Sequence, residues 1–246
     1  MSDNGIMFDP NQESKRISRS LRELSSTLVD PSPIIRTALP FYGVRVGDLR
    51  KIARGWHRDH SDASSDEVAA VADALWSTEV REEMVVAALV HGHDRDARSG
   101  MGLRRADRWV RTLDNWETSD AMAAWLTAPA LADNPRRRFP MLEMLAGRRN
   151  PWARRVGLVA CIGTGRTTDA ADWWPRVTGI ILRLAADGDA GIPKAISWVL
   201  RVHTTHAPDL VEEFIDIHAD VLPAIAIRET RNKLRTGTKR GAGVGR

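Results

Sequence analysis

The sequence predicts an all-α protein: a curved α-solenoid of antiparallel helix pairs with a concave face. Three observations predict it. Apolar residues recur every three to four positions in about a dozen segments of roughly 8 to 16 residues. No stretch shows the strict apolar–polar alternation of a half-buried β-strand. Short breaks marked by Pro or Gly join the segments into pairs with a period of roughly 35 to 45 residues, the spacing of stacked helical repeats.

Taken in order, residues 1–10 are polar and read as a flexible leader, with helix expected from about Asn11 to Leu28 on the stripe Ile17, Leu21, Leu24 and Leu28. Pro31 and Pro33 stop it, and Pro40 and Gly43 punctuate a turn before a helix from Val46 to Trp56. Ser65 to Trp76 follows on Val68, Val71, Ala72 and Leu75, then Glu82 to Val90 on Met84, Val85, Ala88 and Leu89. After Gly100 and Gly102 come Leu103 to Leu113 and Trp116 to Leu126. Pro135 and Pro140 bracket the start of Phe139 to Leu145, and Pro151 opens a helix to about Ile162 that Gly163 and Gly165 end. Trp174 to Ala186, Ile192 to His203, Leu210 to His218 behind Pro208, and Pro223 to Leu234 complete the set. Residues 236–246 form a Gly-rich basic tail expected to be disordered, so residues 11–235 make one helical domain of HEAT-like pairs. A non-repeat α bundle is the rival architecture.

Composition narrows the function classes. No apolar run approaches the roughly 20 residues of a membrane span, and residues 1–10 lack the basic and apolar regions of a secretory signal. The only cysteine, Cys161, lies in an apolar run, which leaves no disulfide framework or cysteine metal site and fits a reducing cytoplasm. No cofactor is expected. His57 with His60, or His91 with His93, lack a His-Glu-x-x-His helix, and the glycines from Gly241 to Gly245 do not sit between a strand and a helix, so neither metal nor phosphate-loop chemistry is expected. Lys plus Arg number 36 against 32 Asp plus Glu, and only five of the 36 are lysine. An arginine-rich composition fits a GC-rich genome as well as a nucleic-acid surface, so clustering carries more weight. Basic residues gather at Arg45 to Lys51, Arg104 to Arg111, Arg136 to Arg138, Arg148 to Arg155 and Arg228 to Arg240, while acids concentrate at Asp59 to Asp73. That separation supports a basic face.

The stretch Leu113 to Asp120 holds the most chemistry. Trp116 and Asp120 are surface neighbours at i and i+4 on a helix, and a carboxylate beside an indole suits a cation or a reaction centre that becomes one. Alone, the pair also reads as a core tryptophan beside a solvated or capping aspartate. Three more stretches join it: Phe41 to Arg50, Pro151-Trp152-Ala153-Arg154-Arg155, and Lys194 to Arg201 with Trp198 inside. Together, in this order and separation, they resemble the AlkD-type DNA alkylation repair glycosylases, a HEAT-like family, from about Tyr42 to Arg231.

The resemblance implies excision of N3- and N7-alkylated purines from duplex DNA, which leaves an abasic site. Trp116 and Trp198 resemble the family's two aromatic walls, Asp120 its catalytic carboxylate and Arg155 its site arginine. Tyr42 resembles a residue near the DNA. The family grips the DNA backbone around the lesion without a conventional base pocket, which makes Arg45, Arg50, Arg154, Lys194 and Arg201 candidate phosphate contacts. Lys194 shares a helix face with Trp198 and Arg201, so phosphate contact fits it better than Schiff-base chemistry. A purine alkylated at N3 or N7 already carries positive charge and leaves without a general acid. The remaining task is to stabilise the developing oxocarbenium sugar, which a fixed carboxylate between aromatic faces does better for the transition state than for the ground state. Asp120 would also orient or deprotonate the attacking water, while Arg155 would keep it ionised and hold a backbone phosphate. A monomeric, monofunctional glycosylase acting on alkylated double-stranded DNA in a bacterial cytoplasm, bound to the nucleoid, is the resulting expectation. A non-catalytic HEAT-like binder of DNA structures and a protein-interaction scaffold are the alternatives.

Overall fold

The computed structural model describes residues 8–25 and 34–240, and every regular element among them is helical. The chain divides into two compact units, Met1–Met101 and Gly102–Arg246.

The first unit contains α1 (Pro10–Leu24), α2 (Val46–Asp59), α3 (Ser65–Trp76), α4 (Arg81–His93) and the short α5 (Arg95–Ser99). Pro10 belongs to α1 rather than to a loose leader: the Asp9 side chain accepts from the Asn11 backbone N–H at 2.9 Å, and Pro10 occupies the first turn, where a missing N–H costs nothing. The predicted end of this helix at Leu28 lies outside the described residues. α3 begins on a capping box in which Ser64 and Glu67 each accept from the other's backbone N–H. α4 is buried on all sides from Glu82 to Gly92 and packs against α1, α2, α3 and α5 as the centre of this unit.

The second unit contains α6 (Leu103–Val110), α7 (Trp116–Ala121), a π-helical turn (Met122–Thr127), α8 (Ala128–Asp133), α9 (Pro135–Ala146), α10 (Pro151–Val159), a 3-10 segment (Ala160–Arg166), α11 (Ala170–Leu184), α12 (Gly191–His203), α13 (Pro208–Ile217) and α14 (Ala224–Thr236). Two corrections to the sequence reading matter. The helix expected over Trp116 to Leu126 is α-helical only to Ala121 and then widens, with the Thr127 hydroxyl donating to the carbonyls of Met122 and Ala123, both at 3.2 Å. The helix opened by Pro151 tightens into 3-10 geometry at Ala160, and Gly163 and Gly165 lie inside that segment instead of ending the helix. The predicted basic tail is described only to Arg240: α14 ends at Thr236, and Gly237 takes the left-handed conformation at φ 74°.

α10 packs against α7, α9 and α12, so a side chain on it reaches elements distant in sequence. Phe139, Leu142 and Leu145 of α9 are fully buried, each stabilising this packing by roughly 1.5–3 kcal/mol. No described helix is long and apolar enough to cross a membrane.

Candidate functional site

Two buried or half-buried asparagines fix where the site helices start. Asn115 is fully buried and caps α7, its side-chain oxygen accepting from the N–H groups of Glu117 and Thr118 at 3.0 Å each. That places Trp116 in the first turn, 37% exposed, and Asp120 one turn later on the same side. Asn150 caps α10 by accepting from the Trp152 N–H at 2.9 Å, and its amide donates to the carbonyls of Val110 and Leu113 at 3.1 and 3.2 Å. One side chain therefore starts α10 and ties it to the segment that leads into α7.

With both helices fixed, Arg155 of α10 meets Asp120 of α7 as a two-toothed ion pair. Nε donates to Oδ1 at 2.7 Å and one terminal nitrogen to Oδ2 at 2.8 Å, while the other terminal nitrogen donates to the Gly191 carbonyl at 2.5 Å. The side chains are 9% and 17% exposed, so this is a sheltered charge pair that is not wholly closed off from solvent. Burial pushes the Asp120 carboxyl above its ordinary value, opposed by the hydrogen bonds and charge of Arg155. The Arg155 guanidinium is thus engaged by Asp120 through two nitrogens and by the Gly191 carbonyl through the third.

Gly191 lets α12 come this close. A side-chain carbon there would sit 2.9 Å from the Asp189 carboxylate, 3.6 Å from Arg155 and 3.8 Å from the Trp152 ring. The Trp152 ring and the Arg155 guanidinium therefore both border Gly191. Neither Asn150 nor Gly191 was identified from sequence as a site residue; the Asn-Pro pair before α10 is a cap signal, but the long-range partners leave no sequence signal.

The other expected residues divide. Arg154 is committed elsewhere, to Asp187 at 2.5 and 2.9 Å and to the carbonyls of Arg148 and Arg149. Its lock on the 187–191 loop holds the same loop that supplies the Gly191 carbonyl. Trp198 is half-buried on α12, roughly 10 Å along the helix axis from Gly191 at 1.5 Å per residue. Lys194 is exposed, and Arg201 donates to Ser197 at 3.1 Å and lies 3.6 Å from Glu229.

In the first unit, Tyr42 is half-buried and its hydroxyl donates to Glu83 at 2.5 Å. The fully buried Glu82 accepts from the backbone N–H groups of Tyr42, Gly43 and Val44 and from Arg81, which fixes the turn that leads into α2; Arg45, at the start of that helix, and Arg50, within it, are both exposed.

Burial pushes the Cys161 thiol up to about 12. His57, His60 and His91 each have a ring nitrogen on a backbone carbonyl, and among the described residues no cluster of three or more His, Cys, Asp or Glu fits a metal ion.

A solved structure of a predicted DNA alkylation repair enzyme from Enterococcus faecalis shares the fold, with a TM-score of 0.60 and 18% identity over 92% of this chain and 96% of that one. No curated protein sequence matches. The family model described as DNA alkylation repair enzyme matches residues 21–234, a span that contains α7, α10 and α12 with the Asp120–Arg155 pair, and the chain accordingly belongs to that family.

Proposed function

We propose that the chain is a monofunctional DNA glycosylase that hydrolyses the N-glycosidic bond of cationic N3- and N7-alkylated purines in duplex DNA. The observation that carries this reading is the Asp120 carboxylate, held by two hydrogen bonds from Arg155 in a sheltered position that keeps some exposure to solvent. A carboxylate fixed in this way is pre-oriented toward positive charge that arises only as the bond breaks, so it favours the transition state over the bound substrate. Trp116 lines the same side of α7 and offers an indole face to the developing cation. Arg155 opposes the effect of desolvation on Asp120, which must be ionised to stabilise the sugar cation or orient water. The alkylated purine is its own leaving-group activator, so no general acid is required. Lys194, Arg45 and Arg50 are the exposed cations we assign to backbone phosphates, with the protein acting as a monomer in the bacterial cytoplasm.

Incubation with methylated duplex DNA tests the reading through released 3-methyladenine and 7-methylguanine. Wild type is expected to release both, and Asp120→Asn to slow release ~100- to 1,000-fold. Because Asn cannot pair with the Arg155 charge, Asp120→Glu is measured beside it, with melting curves for both. Release by Asp120→Asn at the wild-type rate, or no release by folded wild type, defeats the mechanism.

A further inference from the structure

Two adjacent arginines of α10 straddle one short loop, residues 187–191. Arg155 reaches its far end, where a terminal nitrogen donates to the Gly191 carbonyl at 2.5 Å. Arg154 reaches its near end, where Nε and a terminal nitrogen donate to the two carboxylate oxygens of Asp187 at 2.5 and 2.9 Å. The other terminal nitrogen of Arg154 donates to the Arg148 and Arg149 carbonyls at 3.2 and 2.7 Å, so α10, the turn before it and the loop are tied at one point. The Asp187 side chain is 9% exposed, and the hydrogen bonds from Arg154 hold its carboxyl below the ordinary value. Between its ends the loop is built of two turns of one kind. Asp187 accepts from the Asp189 backbone N–H at 2.9 Å and Asp189 from the Gly191 N–H at 2.8 Å, each an aspartate bonded to the backbone two residues on. α12 begins at Gly191 with no side-chain cap from Ala190, which leaves its first N–H to the second of these turns. The bonds run without a gap from Arg154 through Asp187, Asp189 and Gly191 to Arg155 and Asp120.

We propose that Arg154 and Asp187 are positioning residues for the chemistry assigned to Asp120: they fix the Gly191 carbonyl, which fixes the Arg155 guanidinium, which presents the carboxylate. The proposal rests on the glycosylase reading for its effect on rate, whereas its effect on Asp120 belongs to the fold. A guanidinium engaged through all three nitrogens has one orientation. With the Gly191 carbonyl displaced, Arg155 keeps only Asp120 and its planar fork can tilt about that contact, so its hydrogen bonds and charge act less on the carboxylate. Burial then prevails further and the Asp120 carboxyl rises. Arg154 serves the chemistry through the loop, without touching DNA.

The opposite charges of the two residues separate this route from a direct field. Acting through space, loss of the Arg154 cation raises the Asp120 pKa and loss of the Asp187 anion lowers it; acting through the loop, either loss raises it. The Asp120 carboxyl is titrated by NMR in the full chain, its signal identified by its absence from Asp120→Asn. Arg154→Gln and Asp187→Asn are both expected to titrate above wild type, and the double variant no further than the larger single shift, because one link is already broken. Arg154→Lys, which keeps the charge, is expected to fall between wild type and Arg154→Gln. In single-turnover release from methylated duplex, Arg154→Gln and Asp187→Asn should each be slower by ~10-fold, with the midpoint of the pH–rate profile moved up and affinity for unmodified duplex within about twofold of wild type. Glu143→Gln breaks a comparable two-toothed pair, with Arg176 of α11, and is expected to leave the Asp120 titration in place. Shifts of opposite sign, no shift, or an equal shift in Glu143→Gln overturn the proposal. So does weaker duplex binding by Arg154→Gln alongside wild-type release by Asp187→Asn, the pattern of a phosphate contact. Upward shifts in both variants of a chain that releases no base would defeat the glycosylase reading and leave the positioning role standing.

Discussion

At the scale of the residue, Asp120 faces two opposed demands. Burial raises its pKa and Arg155 lowers it, with burial the larger influence, so the carboxyl titrates above the ordinary value of about 4. Base release that requires the ionised form should therefore rise with pH through a midpoint above that value, and Asp120→Asn should remove the titration from the pH–rate profile. The stability effect has the opposite sign. A carboxyl whose folded pKa lies above its unfolded one binds its proton more tightly when folded, so its contribution to stability is greatest below the unfolded pKa and declines as pH rises through the folded pKa. Melting temperature against pH should accordingly show a component that falls over the window in which the rate climbs, absent from Asp120→Asn. A midpoint below the ordinary carboxylate value would mean that Arg155 outweighs burial. The i, i+4 relation of Trp116 and Asp120 was legible because both sit in one helix. Arg155 was reached only through the resemblance, since its partners Asp120 and Gly191 are 35 and 36 positions away.

At the scale of the element, the site depends on how closely α10 lies on α9. A side-chain carbon at Gly157 would fall 2.6 Å from the Leu142 carbonyl oxygen and 2.7 Å from the Ala146 nitrogen, both backbone atoms that cannot swing aside. Gly157→Ala gains about 1 kcal/mol of helix propensity in an exposed helix, but here it must separate two helices, an overpacking cost of about 1–3 kcal/mol or more. The variant should melt below wild type and, because Arg155 is two residues away on the displaced helix, also release base more slowly. A melting temperature at or above wild type would mean that the helices part freely. Helix boundaries were legible where capping and periodicity agree: Ser65–Trp76 begins and ends where the sequence predicts, with Ser64 and Glu67 forming the box. α5 and α8, at five and six residues, are too short to establish an apolar period and were not read. The π and 3-10 segments carry the same apolar spacing as α-helix over one turn, so the widening after Ala121 and the tightening after Val159 had no local signature.

At the scale of the whole molecule, the proposed function separates recognition from chemistry. The exposed cations assigned to DNA, Arg45, Arg50 and Lys194, would contact phosphates, which carry no base sequence. The net charge is only +4, so affinity must come from local clusters rather than from overall attraction. Binding should then be nearly blind to the lesion: dissociation constants for methylated and unmodified duplexes of one sequence should agree within about threefold, and both should weaken together as salt is raised. Selectivity would arise after binding, from the bond itself. A cationic purine departs once the sugar charge is stabilised, whereas a neutral base such as uracil would need a proton donor, and Asp120 in its working form is an acceptor. The measurement is a pair of experiments on the same duplexes, one of binding over a salt series and one of single-turnover base release. Similar affinities with release confined to the cationic lesions would support this division. A methylated duplex bound ~100-fold more tightly than its unmodified counterpart would require a pocket that reads the base, and the backbone-gripping reading would give way to it.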